Sequence, residues 1–371
     1  MAINFAEHLR GRLRQGTHGQ PPTSGPQTRR SSTSTTRWPD HEPYSTFESK
    51  VRALTESIGH FQSVGVQHHN GGSYKRVVVA HMRVGNRIAD GIYRISRWGE
   101  KPGSPERETF LADEVRDEVA ILQLLAKLEI PAPHLLAFDA SRGNPLNCRY
   151  TLLEFSSGIC LEDIFDNMTL PAKLNVVDGV VGFLVAMERV MYPRTGALCA
   201  HKQPNMFTKA SRFLGGSMPQ FKIDIQPFWT LREDETLDTL ADLIPKLIRS
   251  NIDQEEDVTR KRQLDTVLKI CIEMEEHEIF KFQYPEVVST SSGILYHWDL
   301  FPRNIMVAQS GPRQEWKIDM VIDWDYLEAV PAVLTRRPPY WLWDRTEEDK
   351  MTHVRSDFVV DTDVDLLDPS R

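Results

Sequence analysis

The residues best suited to chemistry lie in one short segment, HWDLFPRNIMV, which runs from His297 to Val307. Asp299 and Asn304 in this segment are separated by four residues, a spacing at which one loop can present both side chains to a phosphate group. In phosphoryl transfer the carboxylate orients an acceptor hydroxyl and takes its proton, while the amide oxygen binds a magnesium ion. The segment therefore predicts Asp299 as a catalytic residue and Asn304 as a metal ligand.

A second metal-binding acid is expected beside this loop. The apolar strand after the loop is followed by a polar turn and then by another strand, KIDMVID, which ends at Asp323. This order predicts that Asp323 returns next to Asn304 and shares the same magnesium ion. The alternative is that Asp299 caps a turn, Asn304 bonds to loop backbone and Asp323 only ends a strand.

Two neighbouring side chains have simpler predicted roles. His297 is expected to bond to the backbone of the loop rather than to act as a base. Arg303 is expected either to approach phosphate or to pair with a nearby acid.

The elements before this segment change character along the chain. The runs 76–84 and 88–96 are rich in β-branched residues and predict paired strands after the glycine-containing break HHNGGSY. A helix is predicted from Asp113 to Leu128, and IPAPHLLAFDA and CRYTLLEF predict two more strands, so this part is an α+β lobe. The period then becomes helical in 170–191, 236–250 and 258–280, which predicts a mainly α middle of the chain.

Composition narrows the class of protein. A chain of 371 residues can form about two domains, and its net charge of −8 argues against a nucleic-acid partner. The longest apolar run, VVGFLVAM, is too short to cross a bilayer, so no membrane span is expected. The cysteines have no CxxC spacing and predict buried thiols in a reducing compartment, rather than a zinc site or disulfides; they are Cys148, Cys160, Cys199 and Cys271.

Both ends of the chain differ from the middle. Residues 1–42 are rich in Arg, Ser, Thr and Pro, which predicts a flexible tail on a cytoplasmic protein; a mitochondrial transit peptide is the alternative. Residues 346–371 carry several aspartates and predict an acidic tail.

Taken together, these segments resemble the aminoglycoside phosphotransferase and choline kinase superfamily, and in particular its fungal members. The resemblance extends from about Phe47 to Asp344 through GGSYKRV, YRISR, DEVAILQLL, NPLNCRYTLLEF, LYHWDLFPRNIMV and VIDWD. It implies an α+β, protein-kinase-like fold of two lobes. The small N-terminal antiparallel sheet lobe would span 43–155, and the larger, mainly helical C-terminal lobe would span 156–345.

The resemblance also implies a nucleotide site in the N-terminal lobe. Gly71, Gly72 and Ser73 look like the loop that covers the nucleotide, where glycine lets backbone N–H groups approach phosphate; as an isolated turn, the same residues would form a hairpin. Glu154 and Phe155 resemble the hinge between lobes, whose backbone would meet adenine.

One basic residue departs from the pattern of the superfamily. Arg94 occupies the position of the phosphate-contacting lysine on the third strand, and arginine keeps the charge but has a bulkier, planar fork. Its expected acid partner is Glu118, with Glu114 one turn earlier as the alternative.

The sequence thus predicts a kinase that uses ATP and Mg²⁺ to phosphorylate a hydroxyl of a small molecule. A nucleotide-binding pseudokinase that acts as a scaffold is the alternative, because Arg94 replaces lysine and few residues follow RPPYWLWD. A protein kinase is disfavoured, since no DFG glycine and no APE-like element follow Asp323.

Overall fold

The computed structural model describes most of the chain between residues 44 and 342. The described residues are 44–61, 63–69, 75–84, 87–96, 103–193, 195–202, 207–214, 218–226, 240–277, 293–312, 315–331, 335 and 339–342. The chain divides into two compact units, one of residues 31–337 and one of residues 1–30 with 338–371. In the second unit only 339–342 are described, and they contain a short 3-10 turn, Tyr340–Leu342.

The larger unit contains both helices and strands along its length. The helices are α1 (Tyr44–Ser57), α2 (Pro105–Lys127), α3 (Leu161–Ile164), α4 (Leu170–Glu188), α5 (Leu240–Gln254) and α6 (Val258–Glu276). The strands are β1 (Ser63–His69), β2 (Lys75–Val84), β3 (Arg87–Ser96), β4 (Leu135–Asp139), β5 (Tyr150–Glu154), β6 (Ile159–Cys160), β7 (Met191–Tyr192), β8 (Gly196–Ala200), β9 (Lys209–Ser211), β10 (Ile223–Gln226), β11 (Gly293–His297), β12 (Ile305–Ser310), β13 (Glu315–Val321) and β14 (Leu327–Val330).

The first lobe is an antiparallel sheet that packs against α1 and α2. Its strand order is β1-β2-β3-β5-β4-β9, and the long β2–β3 pair runs in register from Lys75 opposite Ser96 to Val84 opposite Arg87. The β-branched content that predicted these two strands accounts for their length.

Helix α2 starts earlier than the sequence pattern predicted. Its first residue is Pro105 rather than Asp113, because Ser104 caps the helix by accepting a hydrogen bond from the backbone N–H of Arg107 at 3.4 Å. Glu106 in the first turn is favourable at the positive end of the helix dipole. The apolar periodicity used for the prediction begins one turn or more inside the helix.

The second lobe contains two sheets and the remaining helices. One sheet has the order β10-β8-β14-β11-β7 and the other β13-β12-β6. The three helices predicted for the middle of the chain form as α4, α5 and α6. The sequence did not predict the strands between α4 and α5, where the described residues of 191–226 form four strands of two to five residues each. Strands this short contain too few residues to show a period of two, and β9 even pairs with β4 of the first lobe.

Helix α4 packs one face into the second lobe and exposes the other. Val176, Val180, Phe183 and Met187 are buried on the inner face, as in a core helix of a globular lobe, while the outer face exposes Leu174, Val181 and Val185. By length and hydropathy alone α4 is apolar enough to cross a bilayer, with 22% of its most apolar window buried.

The fold class predicted from the sequence is confirmed: the larger unit is α+β, with antiparallel sheets arranged in two lobes. The cysteines are free thiols, as expected, but only Cys148 and Cys271 are buried, whereas Cys160 and Cys199 are half-buried.

Candidate active site

Asp299 and Asn304 are held together in the loop between β11 and β12. The Asn304 amide Nδ2 donates to the backbone carbonyl of Asp299 at 2.8 Å and to its carboxylate Oδ2 at 2.7 Å. Asn304 is buried, with 6% of its surface exposed, so this orientation is fixed by packing as well as by hydrogen bonds. Because Nδ2 makes both contacts, Oδ1 is left as an acceptor that no described residue bonds to, the atom that a cation would need.

His297 positions the start of this loop. Its Nδ1 accepts a hydrogen bond from the backbone N–H of Asp299 at 3.1 Å, so the proton is on Nε2, which donates to the carbonyl of Ile322 at 3.2 Å. Burial lowers the pKa of His297, and its ring packs edge-on against Trp324 at 4.5 Å between centroids. The ring is therefore neutral and bonds to backbone, as the sequence predicted.

Arg303 pairs with the acid of the loop. Its NH2 lies 2.5 Å from Oδ1 of Asp299, and its guanidinium stacks over the ring of Phe301 at 4.1 Å. Both charged side chains are more than one third exposed, so the ion pair contributes little stability and can open to admit a ligand.

Asp323 lies close to the loop between β11 and β12 because the preceding residue, Ile322, bonds to that loop. The backbone N–H of Ile322 donates to the carbonyl of Asn304 at 2.8 Å, just after β13 ends. Asp323 itself has φ = +71°, in the left-handed region that aspartate enters more readily than most residues. The hydrogen bond brings the backbone of Asp323 next to Asn304, and the Asp323 carboxylate contacts Arg94 at 2.7 Å.

Arg94 joins the first lobe to the acids that follow β13. Its NH1 lies 3.0 Å from Oε1 of Glu118, and its NH2 lies 2.7 Å from Oδ1 of Asp323 and 2.8 Å from Oδ1 of Asp325. Of the two helix acids considered from the sequence, the contact is made by Glu118, which is 2% exposed. Burial alone lowers the pKa of Arg94, but Asp325, Glu118 and Asp323 outweigh it and raise that pKa.

Lys75 is a site residue that sequence reasoning missed. Its Nζ lies 2.7 Å from Oε2 of Glu118 and 2.7 Å from Oδ1 of Asp325. The alternation of side chains along the strands could have indicated this residue. Val77 is opposite Arg94 across the β2–β3 pair, and Lys75 lies two residues before Val77, on the same face of the sheet. Burial and Arg94 lower the pKa of Lys75, but Asp325 and Glu118 overcome them and raise it.

A second helix acid lies at the edge of this cluster. Burial raises the pKa of Glu114 to about 7, an effect that nearby Lys75 reduces and Asp325 increases. Glu114 is therefore part of the electrostatic surroundings of the cluster without taking the contact made by Glu118.

The predicted hinge lies where β5 stops. The β3–β5 ladder ends with Gly91 opposite Glu154, and the side chains of Glu154 and Phe155 are exposed. A cavity of about 500 Å³ lies against both residues, and its lining includes Glu129, Ser156 and Asp319. None of Asp299, Asn304 and Asp323 lines this cavity, so we do not assign the reaction to it. Gly71, Gly72 and Ser73 lie outside the described residues.

The donor set fits magnesium rather than a metal that needs a complete protein cage. Among the described residues no group of three His, Cys, Asp or Glu side chains is placed to hold an ion. Mg²⁺ commonly takes only one or two protein ligands and completes its octahedron with water and phosphate oxygens. The Asn304 amide oxygen and the Asp323 carboxylate would suffice.

The sequence of the chain was compared with protein families and with curated proteins. A family model described as phosphotransferase enzyme family matches residues 104–333. No curated protein matches significantly.

Similar solved structures include the following three, each with a TM-score of 0.39. A protein described as an aminoglycoside phosphotransferase from Ralstonia eutropha is 14% identical; the match covers 76% of this chain and 66% of that one, just under two thirds. The streptomycin–ATP complex of APH(2″)-IIa is 10% identical, with coverages of 78% and 73%. An ethanolamine kinase from Plasmodium vivax is 15% identical, with coverages of 84% and 72%.

Proposed function

The chain belongs to the phosphotransferase enzyme family, and we propose that it is a kinase that transfers the γ-phosphate of ATP to a hydroxyl group of a small molecule. The observation that carries the proposal is the 2.7 Å contact between the Asn304 amide and the Asp299 carboxylate. It holds a candidate base and a candidate metal ligand side by side, and the backbone of Ile322 joins them to Asp323.

The chain's own residues would supply positioning and charge. Asp299 orients the acceptor hydroxyl and takes its proton as the new O–P bond forms, while the bond from the γ-phosphorus to the bridging oxygen breaks and ADP leaves. Asn304 and Asp323 would hold Mg²⁺, and Lys75 and Arg94 would offset negative charge nearby. When bound, ATP supplies the phosphoryl group, and Mg²⁺ neutralises charge on its phosphate oxygens.

One contact favours a second function, a nucleotide-binding module without transfer. Arg94 lies 2.7 Å from the Asp323 carboxylate, so a cation of the protein already pairs with a predicted metal ligand. If this pair never opens, nucleotide could bind while phosphoryl transfer would not proceed.

The decisive comparison is between Asp299→Asn and a control, Asp178→Asn, at an exposed carboxylate on α4. Both variants and the wild type would be incubated with ATP, Mg²⁺ and a panel of hydroxylated metabolites, with ADP formation and ATP affinity measured. We expect Asp299→Asn to lower turnover by about 10²–10⁴-fold with ATP affinity preserved, because only proton removal is lost.

The other outcomes separate the two functions. Equal turnover by Asp299→Asn and the wild type would exclude Asp299 as the base. Tight binding of ATP by the wild type, with no ADP formed on any acceptor or on water, would favour the module without transfer.

A further inference from the structure

We propose that Lys75, from the start of β2, makes the main cationic contact to the nucleotide phosphates, and that Arg94 is a positioning residue that holds the site's carboxylates together. This inference rests on the proposed function, since it assumes that the phosphates of a nucleotide bind beside Lys75 and Asp323. It concerns a lysine on a different strand from the basic residue that the sequence singled out.

Arg94 pairs with carboxylates of the protein through both of its terminal nitrogens. Its two terminal nitrogens contact Glu118, Asp323 and Asp325 at 2.7–3.0 Å, and its side chain is 13% exposed. A planar guanidinium that grips several acids has a fixed orientation. Turning it towards phosphate would leave the buried Glu118 carboxylate with one cation fewer, which is costly in a low-dielectric environment.

The ammonium group of Lys75 can turn towards a ligand more easily than the guanidinium of Arg94. An ammonium group has three N–H donors, and contacts within the described chain use two of them, to Glu118 and Asp325. Its side chain is 20% exposed, and its flexible stem allows Nζ to move while one of these contacts is kept. The two opposing carboxylates keep the ammonium charged at neutral pH, since together they raise its pKa.

The position of Lys75 in the chain also suits a phosphate contact. It follows the predicted nucleotide-covering residues Gly71, Gly72 and Ser73 after a single intervening residue. Its side chain lies on the same face of the β2–β3 pair as Arg94. A phosphate beside Asp323 would therefore lie on the face that carries both cations, and the Lys75 side chain is the more exposed of the two, at 20% against 13%.

The balance of charge around the site explains why both cations would be needed to bind a polyphosphate. Glu118, Asp323 and Asp325 are three carboxylates around two cations. With Lys75 neutralised, three acids would share one arginine, and the remaining negative charge would repel a polyphosphate. Adenosine carries no phosphate and would be insensitive to this change.

The test compares affinities for ATP and adenosine in the full-length protein. Dissociation constants would be measured by calorimetry with Mg²⁺ for the wild type, Lys75→Met, Arg94→Gln and a control, Arg83→Met, an exposed cation at the other end of β2. We expect Lys75→Met to weaken ATP binding roughly 10- to 100-fold, as for a lost charge-assisted hydrogen bond. Adenosine affinity should stay within about twofold, and Arg83→Met should match the wild type.

For Arg94→Gln we expect a lower melting temperature than for Lys75→Met, and a smaller loss of the preference for ATP over adenosine. Should either variant be unfolded, Lys75→Gln, which keeps a hydrogen-bond donor towards Glu118, decides the matter alone. An ATP preference retained by a folded Lys75 variant overturns the inference, as does a larger loss in Arg94→Gln. Failure of the wild type to bind ATP would instead contradict the proposed function itself.

Discussion

At the scale of single residues, His297 connects the two halves of the candidate site. One ring nitrogen accepts from the backbone N–H of Asp299, and the other donates to the carbonyl of Ile322, the residue before Asp323. The ring thereby fixes the loop that carries the candidate base relative to the residues that follow β13, which include the second candidate metal ligand. Because it is buried and bonds only to backbone, its effect on activity would be through geometry.

Replacing His297 should therefore lower the rate more than the binding of substrates. For His297→Phe, which keeps an aromatic ring against Trp324 but removes both hydrogen bonds, we expect kcat to fall about 10- to 100-fold, because Asp299 loses its positioning. The KM for ATP should change less than threefold. Steady-state kinetics and circular dichroism of the variant, with Phe183→Leu as a control for packing on the same core, would measure this. An unchanged kcat in a folded His297→Phe protein would contradict the positioning role.

The sequence predicted the group formed by Asp299, Asn304 and Asp323 better than it predicted the contacts of Lys75 and Arg94. Asp299, Asn304 and the strand leading to Asp323 are close in the chain, so loop spacing and strand order are enough to bring them together. Lys75 and Asp325 meet across 250 residues, and nothing in local pattern pairs two such distant positions. The choice between Glu114 and Glu118 likewise depended on helix orientation, which only tertiary packing fixes.

At the scale of elements, two glycines differ in whether their surroundings would accept a side chain. Gly196 in β8 has φ = +152°, and a Cβ atom there would overlap the carbonyl oxygen of Gln226 on the neighbouring β10. Gly182 lies on the exposed face of α4, and a Cβ atom there would meet nothing within 4 Å.

Alanine should have opposite effects at these two glycines. We expect Gly196→Ala to destabilise the protein by about 1–3 kcal/mol, because it strains the β8–β10 pair. Gly182→Ala should stabilise it by about 0.5–1 kcal/mol through restriction of the unfolded chain. Urea denaturation followed by circular dichroism measures both. Shifts of the same sign would contradict the strained backbone at Gly196 or the open space beside Gly182.

Strand β14 carries a carboxyl group whose ionisation should change stability with pH. Burial raises the pKa of Glu328 to about 7, an effect reduced by the hydrogen bond that Trp298 Nε1 donates to Oε2 at 2.6 Å. Since folding raises this pKa from 4.5, the resulting stability is complete below pH 4.5 and is lost as the pH rises through about 7.

Glu328→Gln should remove that pH dependence, because the amide can still accept from Trp298 but cannot ionise. We expect equal melting temperatures of variant and wild type near pH 4.5, and a variant more stable above pH 7 by on the order of 2 kcal/mol. Thermal unfolding across this range would be compared with that of Glu315→Gln, at an exposed acid on β13. A constant difference between Glu328→Gln and wild type at all pH values would contradict the raised pKa.

Elements differed in how well the sequence predicted them. Long elements such as β2, β3 and α2 carry enough periodic residues to be recognised, apart from the capped first turns of α2. Strands β7 to β10 contain two to five residues each, and they form because neighbouring strands offer unpaired backbone rather than because their side chains alternate.

At the scale of the whole molecule, the two larger of the hydrophobic cores formed by the described residues share the strands between them. One core contains Phe138 and Leu153, and the other contains the adjacent residues Ala137 and Leu152, so β4 and β5 direct alternate side chains into each. The first core also includes residues of α4, β11 and β14, and it therefore extends through both lobes. Loss of packing on one side of these strands would disturb the other side as well.

This arrangement predicts one cooperative unfolding transition for residues 31–337 instead of one for each lobe. We expect Leu125→Ala, in the core that spans both lobes, and Leu54→Ala, in the core of the first lobe, each to cost about 2–5 kcal/mol. Both should move the same calorimetric peak, since β4 and β5 belong to both cores. Leu174→Ala, on the exposed face of α4, is the control and should leave that peak in place. Two peaks that respond separately to Leu54→Ala and Leu125→Ala would show that the lobes unfold independently, despite their shared strands.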